Sequence, residues 1–215
     1  MCIRHLKWKL PGLVLAVLLV GHGFAAARWV SPPPGQPAQI WSKVHYDPRL
    51  TDPFFKSNEW RYPWNIVKHP DGHFEDTSTG IRPKKEPPHL KHTAKCFSTS
   101  HGTKHLLLFC KARLLDRNEI DLFLYDTDPG CLDDLRVQIR NGMFTCQFST
   151  RYKIWLPTDR GIVWKTTRQA LVLDKNVYRK GDTIKGKIDF ECLEFGNPKH
   201  PRKIEIYGIF KTVVK

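Results

Sequence analysis

Several catalytic signatures are missing from this chain, and each absence removes a class of chemistry. There is no His-Glu-x-x-His pattern, which excludes the common two-histidine metalloprotease helix. Gly-x-Ser-x-Gly is absent, so no nucleophile elbow is present. Neither a glycine-rich phosphate loop nor a dinucleotide fingerprint occurs, and no cofactor is implied. No two cysteines stand in a CxxC pair, which removes the compact structural zinc sites. Like charges never run beyond a pair such as Lys84-Lys85, so there is no polybasic tail. The longest apolar run, residues 10–20, is interrupted by Pro11 and Gly12 and falls short of the roughly 18–20 residues that span a bilayer.

What stands around that run is informative. Arg4, Lys7 and Lys9 give a basic start without an acidic residue, and Ala25, Ala26 and Ala27 supply small residues where a signal peptidase cuts. This three-part layout predicts a cleaved secretory signal over residues 1–27, hence a secreted, periplasmic or extracellular protein with no transmembrane anchor. The chain carries a net charge of +14, and removing residues 1–27 takes away three positive charges to leave +11. Such a balance favours an anionic polysaccharide or a negatively charged cell-surface component as partner. The plainer alternative is that the charges are dispersed over strand faces. Cleavage also removes Cys2 and leaves five cysteines, an odd number in a compartment that favours disulfides.

The character of the chain changes near residue 90. Residues 28–89 hold eleven prolines from Pro32 to Pro88 and no sustained period of two or 3.6. Proline forbids long helices and interior strands there. Yet Trp41, Tyr46, Phe54, Phe55, Trp60, Tyr62, Trp64 and Phe74 are too many large rings for a segment that never packs. Residues 28–89 are therefore read as a loop-rich arm and linker, pinned by its rings to a domain spanning 90–215.

In that domain the signal is β. Within 135–148, Asn141-Gly142 suits a two-residue hairpin turn, because both positions tolerate positive φ. That turn sets Ile139 opposite Phe144, Val137 opposite Cys146 and Leu135 opposite Phe148, all apolar, with Arg136, Gln138, Arg140, Thr145 and Gln147 on the other face. Further strands are expected at 96–98, 106–114, 120–125, 162–173, 184–192 and 203–214, with room for one helical turn at 128–135. Residues 162–173 read as two strands or a bent one. The count of about seven or eight strands predicts an all-β fold, a β-sandwich. Parity puts Cys110, Cys146 and Cys192 on inward faces, as bridges or as small buried hydrophobes. The disulfide candidates are Cys96 with Cys110 and Cys146 with Cys192, leaving Cys131 as the free thiol.

Residues 173–188 contain Tyr178, Gly181, Asp182, Ile184 and Gly186 in the order Tyr-x-x-Gly-Asp-x-Ile-x-Gly. This phrase resembles one in immunoglobulin-like sandwiches of the macroglobulin type and in arrestin-like domains, with Lys180 where a proline is usual. The resemblance implies an immunoglobulin-like architecture, and it carries no activity across.

Three close histidine pairs, His69/His73, His89/His92 and His101/His105, are the concentrated reactive groups. With Asp71, Glu75 and Asp76 nearby, His69, His73, His101 and His105 are metal-ligand candidates, against the simpler reading of surface histidines. Asp126, Asp128, Asp133 and Asp134 lack the spacing of a calcium loop and read as a turn whose side chains bond the backbone. Trp60, Tyr62 and Trp64, beside Arg61, offer flat rings and a cation for stacking on sugars or bases. Alternatively those rings plug an open edge of the sandwich. Nucleic acid is disfavoured as a partner, since the basic residues scatter over the strands.

The reading that follows is an exported binding or structural module. A secreted hydrolase would need His69, His73 or His101 beside a carboxylate in a cleft. A binder of anionic polymer would need Arg136, Arg140, Lys185 and Lys187 on one continuous face.

Overall fold

The computed structural model describes residues 39–100, 102–130, 133–150, 162–195 and 202–215. The expected signal, His101 and Cys131 lie outside these residues. The arm contributes five short strands, β1 (Ser42–Lys43), β2 (His45–Tyr46), β3 (Trp60–Arg61), β4 (Ile66–Lys68) and β5 (Phe74–Asp76), and β6 (Leu90–Lys91) begins the domain. Five strands follow: β7 (Ala94–Ser100), β8 (Thr103–Leu107), β9 (Phe109–Asp116), β10 (Glu119–Tyr125) and β11 (Asp133–Arg140). The last four are β12 (Met143–Thr150), β13 (Val163–Leu173), β14 (Thr183–Phe195) and β15 (Arg202–Val213). The fold is all-β. Among the described residues the single helix is a 3-10 turn, Pro53–Lys56, capped by the Asp52 carboxylate, which accepts from the Phe54 amide.

The β11–β12 hairpin forms in the register its alternation predicts. Leu135 opposes Phe148, Val137 opposes Cys146 and Ile139 opposes Phe144. Asn141 and Gly142 take φ of 51° and 73°, the left-handed pair the turn requires. The hairpin sits in a five-stranded sheet ordered β1-β12-β11-β10-β9. A six-stranded sheet, ordered β2-β13-β14-β15-β7-β8, supplies the other half of the core. Leu122, Val137 and Phe144 from the first sheet and Ile188, Phe190 and Phe210 from the second belong to one buried cluster. Two sheets sharing a core fit a β-sandwich. The expected 162–173 segment forms one strand, Val163–Leu173, bent by an irregularity between Thr166 and Arg168.

Backbone hydrogen bonds link the two sheets on both sides. On one side the arm switches sheets: β1 pairs antiparallel with β12, and two residues later β2 pairs parallel with β13. Gln169 reinforces this corner, its amide oxygen accepting from the Cys146 amide at 3.0 Å and its nitrogen donating to Ile40 O at 2.8 Å. On the other side the Lys215 amide donates to Ala112 O, and the Leu114 amide donates to Lys215 O, both at 3.0 Å.

The 173–188 phrase closes one end of the interior. Tyr178 is buried, and its hydroxyl donates to Asp174 at 2.6 Å. Burial first, then the Asp174 carboxylate, push the phenol up. Gly186 is dictated by packing, since a Cβ there would stand 2.3 Å from the Phe210 ring.

Two expectations are corrected. Among the described residues of 128–135, Pro129 and Gly130 form a turn and 133–135 are strand, with no helical turn; residues 131 and 132 lie outside the description. The Asp126 and Asp128 carboxylates accept from the amides of Asp128 and Gly130 at 2.7 and 2.8 Å, and β11 begins at Asp133. The expected disulfides are also missing, because Cys96, Cys110, Cys146 and Cys192 are all free, buried thiols. Cys96 donates instead to Ile209 O at 3.4 Å, and the four pack as small hydrophobes.

Candidate functional site

The arm meets the sandwich through three anchors. Phe54 and Phe55, presented by the 3-10 turn, are buried near Lys211 and Lys185, outward residues of β15 and β14. The Lys211 ammonium donates to Phe55 O at 2.8 Å and Ser57 O at 3.1 Å, satisfying carbonyls at the end of that turn. Burial, then Lys91 and Lys185, lower its pKa. Arg61 is the third anchor. Its guanidinium bonds the buried Asp126 carboxylate and Thr127, and lies over the Phe109 ring.

β3 pairs with β6, setting Trp60 opposite Lys91 and Arg61 opposite Leu90. This pairing builds a set of rings. The Trp60 indole stacks on His89 with centroids 3.5 Å apart, Tyr62 stands edge-on to both, and Phe74 closes the row beside Tyr62. Glu86 ties the row together, accepting from the Tyr62 hydroxyl at 2.5 Å and bonding His89 at 3.1 Å. Tyr62 and His89 hold that carboxyl below the usual carboxylate range. Trp60 is 44% exposed and Trp64 49%, so the tryptophans do not plug an edge; the buried Phe54 and Phe55 cover strand surface instead.

Beside this row, where β9 meets β15, lies a cavity of about 440 Å³. Lys91, Lys111, Lys211 and Lys215 line it with His92 and Tyr125, and among the described residues no aspartate or glutamate side chain does. The Lys111 ammonium sits 4.6 Å from the Tyr125 ring centroid, which draws it back against an aromatic face. His92 packs edge-on against Phe109, and its Nε2 is buried without a hydrogen-bond partner among the described residues. Burial, then Arg61, push that imidazole below its usual pKa.

The remaining sequence candidates are dispersed. Arg136 lies on the outer face of β11, held by Asp121 at 2.7 and 2.9 Å, and Arg140 ends the same strand. Lys185 and Lys187 belong to β14 in the other sheet, so these four form no continuous face. His105 sits on β8 opposite Ser98. His69 and His73 come together with Glu75 on the β4–β5 hairpin.

The thiols are not equipped as nucleophiles. Burial raises all four, Cys192 to about 12, with Glu194 and Asp133 adding to the shift. Near Cys192 the shared interior turns polar: Ser98 donates to Asp133 at 2.5 Å and the Trp164 indole donates to Glu194 at 3.2 Å.

Sequence reasoning missed the lysine-lined cavity. Lys91, Lys111, Lys211 and Lys215 are far apart along the chain and converge only because β9 and β15 meet at a seam. The outward parity of Lys211 beside the inward Phe210 was the one local signal.

Fold and site together define an all-β protein with a folded aromatic arm and a basic cavity at its seam. Comparison with protein-family models, with curated proteins and with solved structures gives no match to this chain.

Proposed function

We propose that this protein is an exported, non-catalytic binding module on an immunoglobulin-like β-sandwich, and that its ligand is an anionic polymer such as an acidic polysaccharide of a cell surface. One observation carries the reading: four lysines line a single cavity with no carboxylate side chain from the described residues among its walls. Cations gathered in one concavity focus potential outward more than cations paired along a strand. The neighbouring Trp60 face suits a sugar ring, and the net charge of +14 has the matching sign. The strand that switches sheets at β1–β2 supports the immunoglobulin-like assignment, as does the Tyr178–Gly186 phrase.

A hydrolase reading has less support. His69 and His73 each bond a carboxylate, but among the described residues neither imidazole bonds a serine, threonine or cysteine side chain.

Retention on immobilised heparin, compared with a neutral matrix, tests the proposal. Wild-type protein is expected to bind at low salt and elute as salt screens the lysines. Lys91→Glu and Lys111→Glu should each weaken binding about two- to fivefold, the worth of an exposed ion pair. Arg140→Glu should elute with wild type. Absence of retention at low salt, or equal loss in Arg140→Glu, would contradict the proposal.

A further inference from the structure

The β4–β5 hairpin carries a second constellation, separate from the lysine-lined cavity and independent of the function proposed above. Its loop reads His69-Pro70-Asp71-Gly72-His73. Proline presets φ at the first loop position, and Gly72 takes φ of 90°, so three residues suffice to reverse the chain. The His69 amide donates to His73 O, and the Gly72 amide to His69 O, both at 2.9 Å. The reversal makes the two imidazoles neighbours across the turn, with ring centroids 4.3 Å apart and planes inclined by 9°. Strand alternation returns Glu75 to the face of His73, and its carboxylate lies 2.8 Å from His69 Nε2.

A ligand atom from each of His69, His73 and Glu75 therefore lies within 4.8 Å of the other two. The orientation of His73 is also fixed. Its Nδ1 stands 2.5 Å from an Asp71 carboxylate oxygen, an acceptor that keeps the ring proton on Nδ1. In the neutral ring the lone pair is then on Nε2, and that atom is buried with no hydrogen-bond partner among the described residues. A carboxylate behind an imidazole whose other nitrogen is free is the arrangement that orients metal-ligating histidines.

We propose that His69, His73 and Glu75 bind a borderline divalent transition-metal ion, zinc fitting best, with Asp71 as the positioning residue for His73. Two imidazoles and a carboxylate match zinc's preference for nitrogen and oxygen donors and leave a fourth position for water. The side chains are half-buried at a hairpin end, and with His73 held by Asp71 it is the His69 ring that would tilt from the stack to share an ion with His73 Nε2. The carboxylates of Glu75 and Asp71 offset the charge of the dication.

Zinc titration of the full chain by calorimetry, after stripping with chelator and in a non-coordinating buffer, tests the site. One equivalent is expected to bind. His69→Ala and His73→Ala should each weaken it at least tenfold, and His105→Ala should leave it unchanged. Asp71→Asn should weaken it about tenfold or more with the melting temperature preserved. Long-range proton–nitrogen spectra of wild type provide a readout that does not depend on a variant folding: zinc should move the ring nitrogens of His69 and His73, with His73 coordinated through Nε2. Failure to take up zinc, uptake undiminished in both histidine variants, or ring signals of His69 and His73 unmoved at saturation would each overturn the proposal.

Discussion

Cys96, Cys110, Cys146 and Cys192 show how far parity alone reaches. Alternation placed three of them on inward faces, and they are there. It could not say whether neighbouring inward sulfurs bond, because that depends on the distance between two sheets. The structure has them as thiols whose burial disfavours the thiolate. Iodoacetamide reacts with thiolate, so native protein should leave these four cysteines unlabelled. In denaturant without reductant, peptide mass analysis should find all four alkylated. Labelling that requires prior reduction would show that disulfides had formed.

Among elements, the β11–β12 hairpin was legible because its turn chemistry and its alternation agree on one register. The arm was legible only in outline. Its prolines announced short strands, and its rings announced packing, but no periodic signal could say which rings pack inward. Phe54 and Phe55 are buried through a capped 3-10 turn, while Trp60 and Trp64 stay half-exposed. The sheet-switching pair β1–β2 was invisible for the same reason, since two-residue strands have no measurable period. Gln169 holds that corner through the Cys146 amide and the Ile40 carbonyl. Gln169→Ala leaves the amide without its partner, and should cost about 1–3 kcal/mol in urea unfolding. It should also expose the chain near Ile40 to limited proteolysis. A midpoint within about 0.5 kcal/mol of wild type, the range of ordinary surface substitutions, would show that the corner is held elsewhere.

At the scale of the molecule, the positive charge was plain from composition but its arrangement was not. The strand face that a polymer binder would need from Arg136, Arg140, Lys185 and Lys187 divides between two sheets, with Arg136 neutralised by Asp121. The cations that do converge come from β6, β9 and β15 and from Lys215, two residues beyond it, joined where β9 meets β15. Convergence of this kind is a property of topology, which a single sequence does not display. The histidine hairpin is the opposite case, since a five-residue loop with its own turn chemistry brings its ligands together locally.

Amide hydrogen exchange with and without a heparin-derived oligosaccharide, at low salt, tests the location of the binding face most directly. The account predicts slower exchange in peptides covering residues 90–93, 109–112 and 210–215, which frame the lysine-lined cavity. Protection confined to the outer faces of β11 and β14, or no change at saturating oligosaccharide, would contradict it.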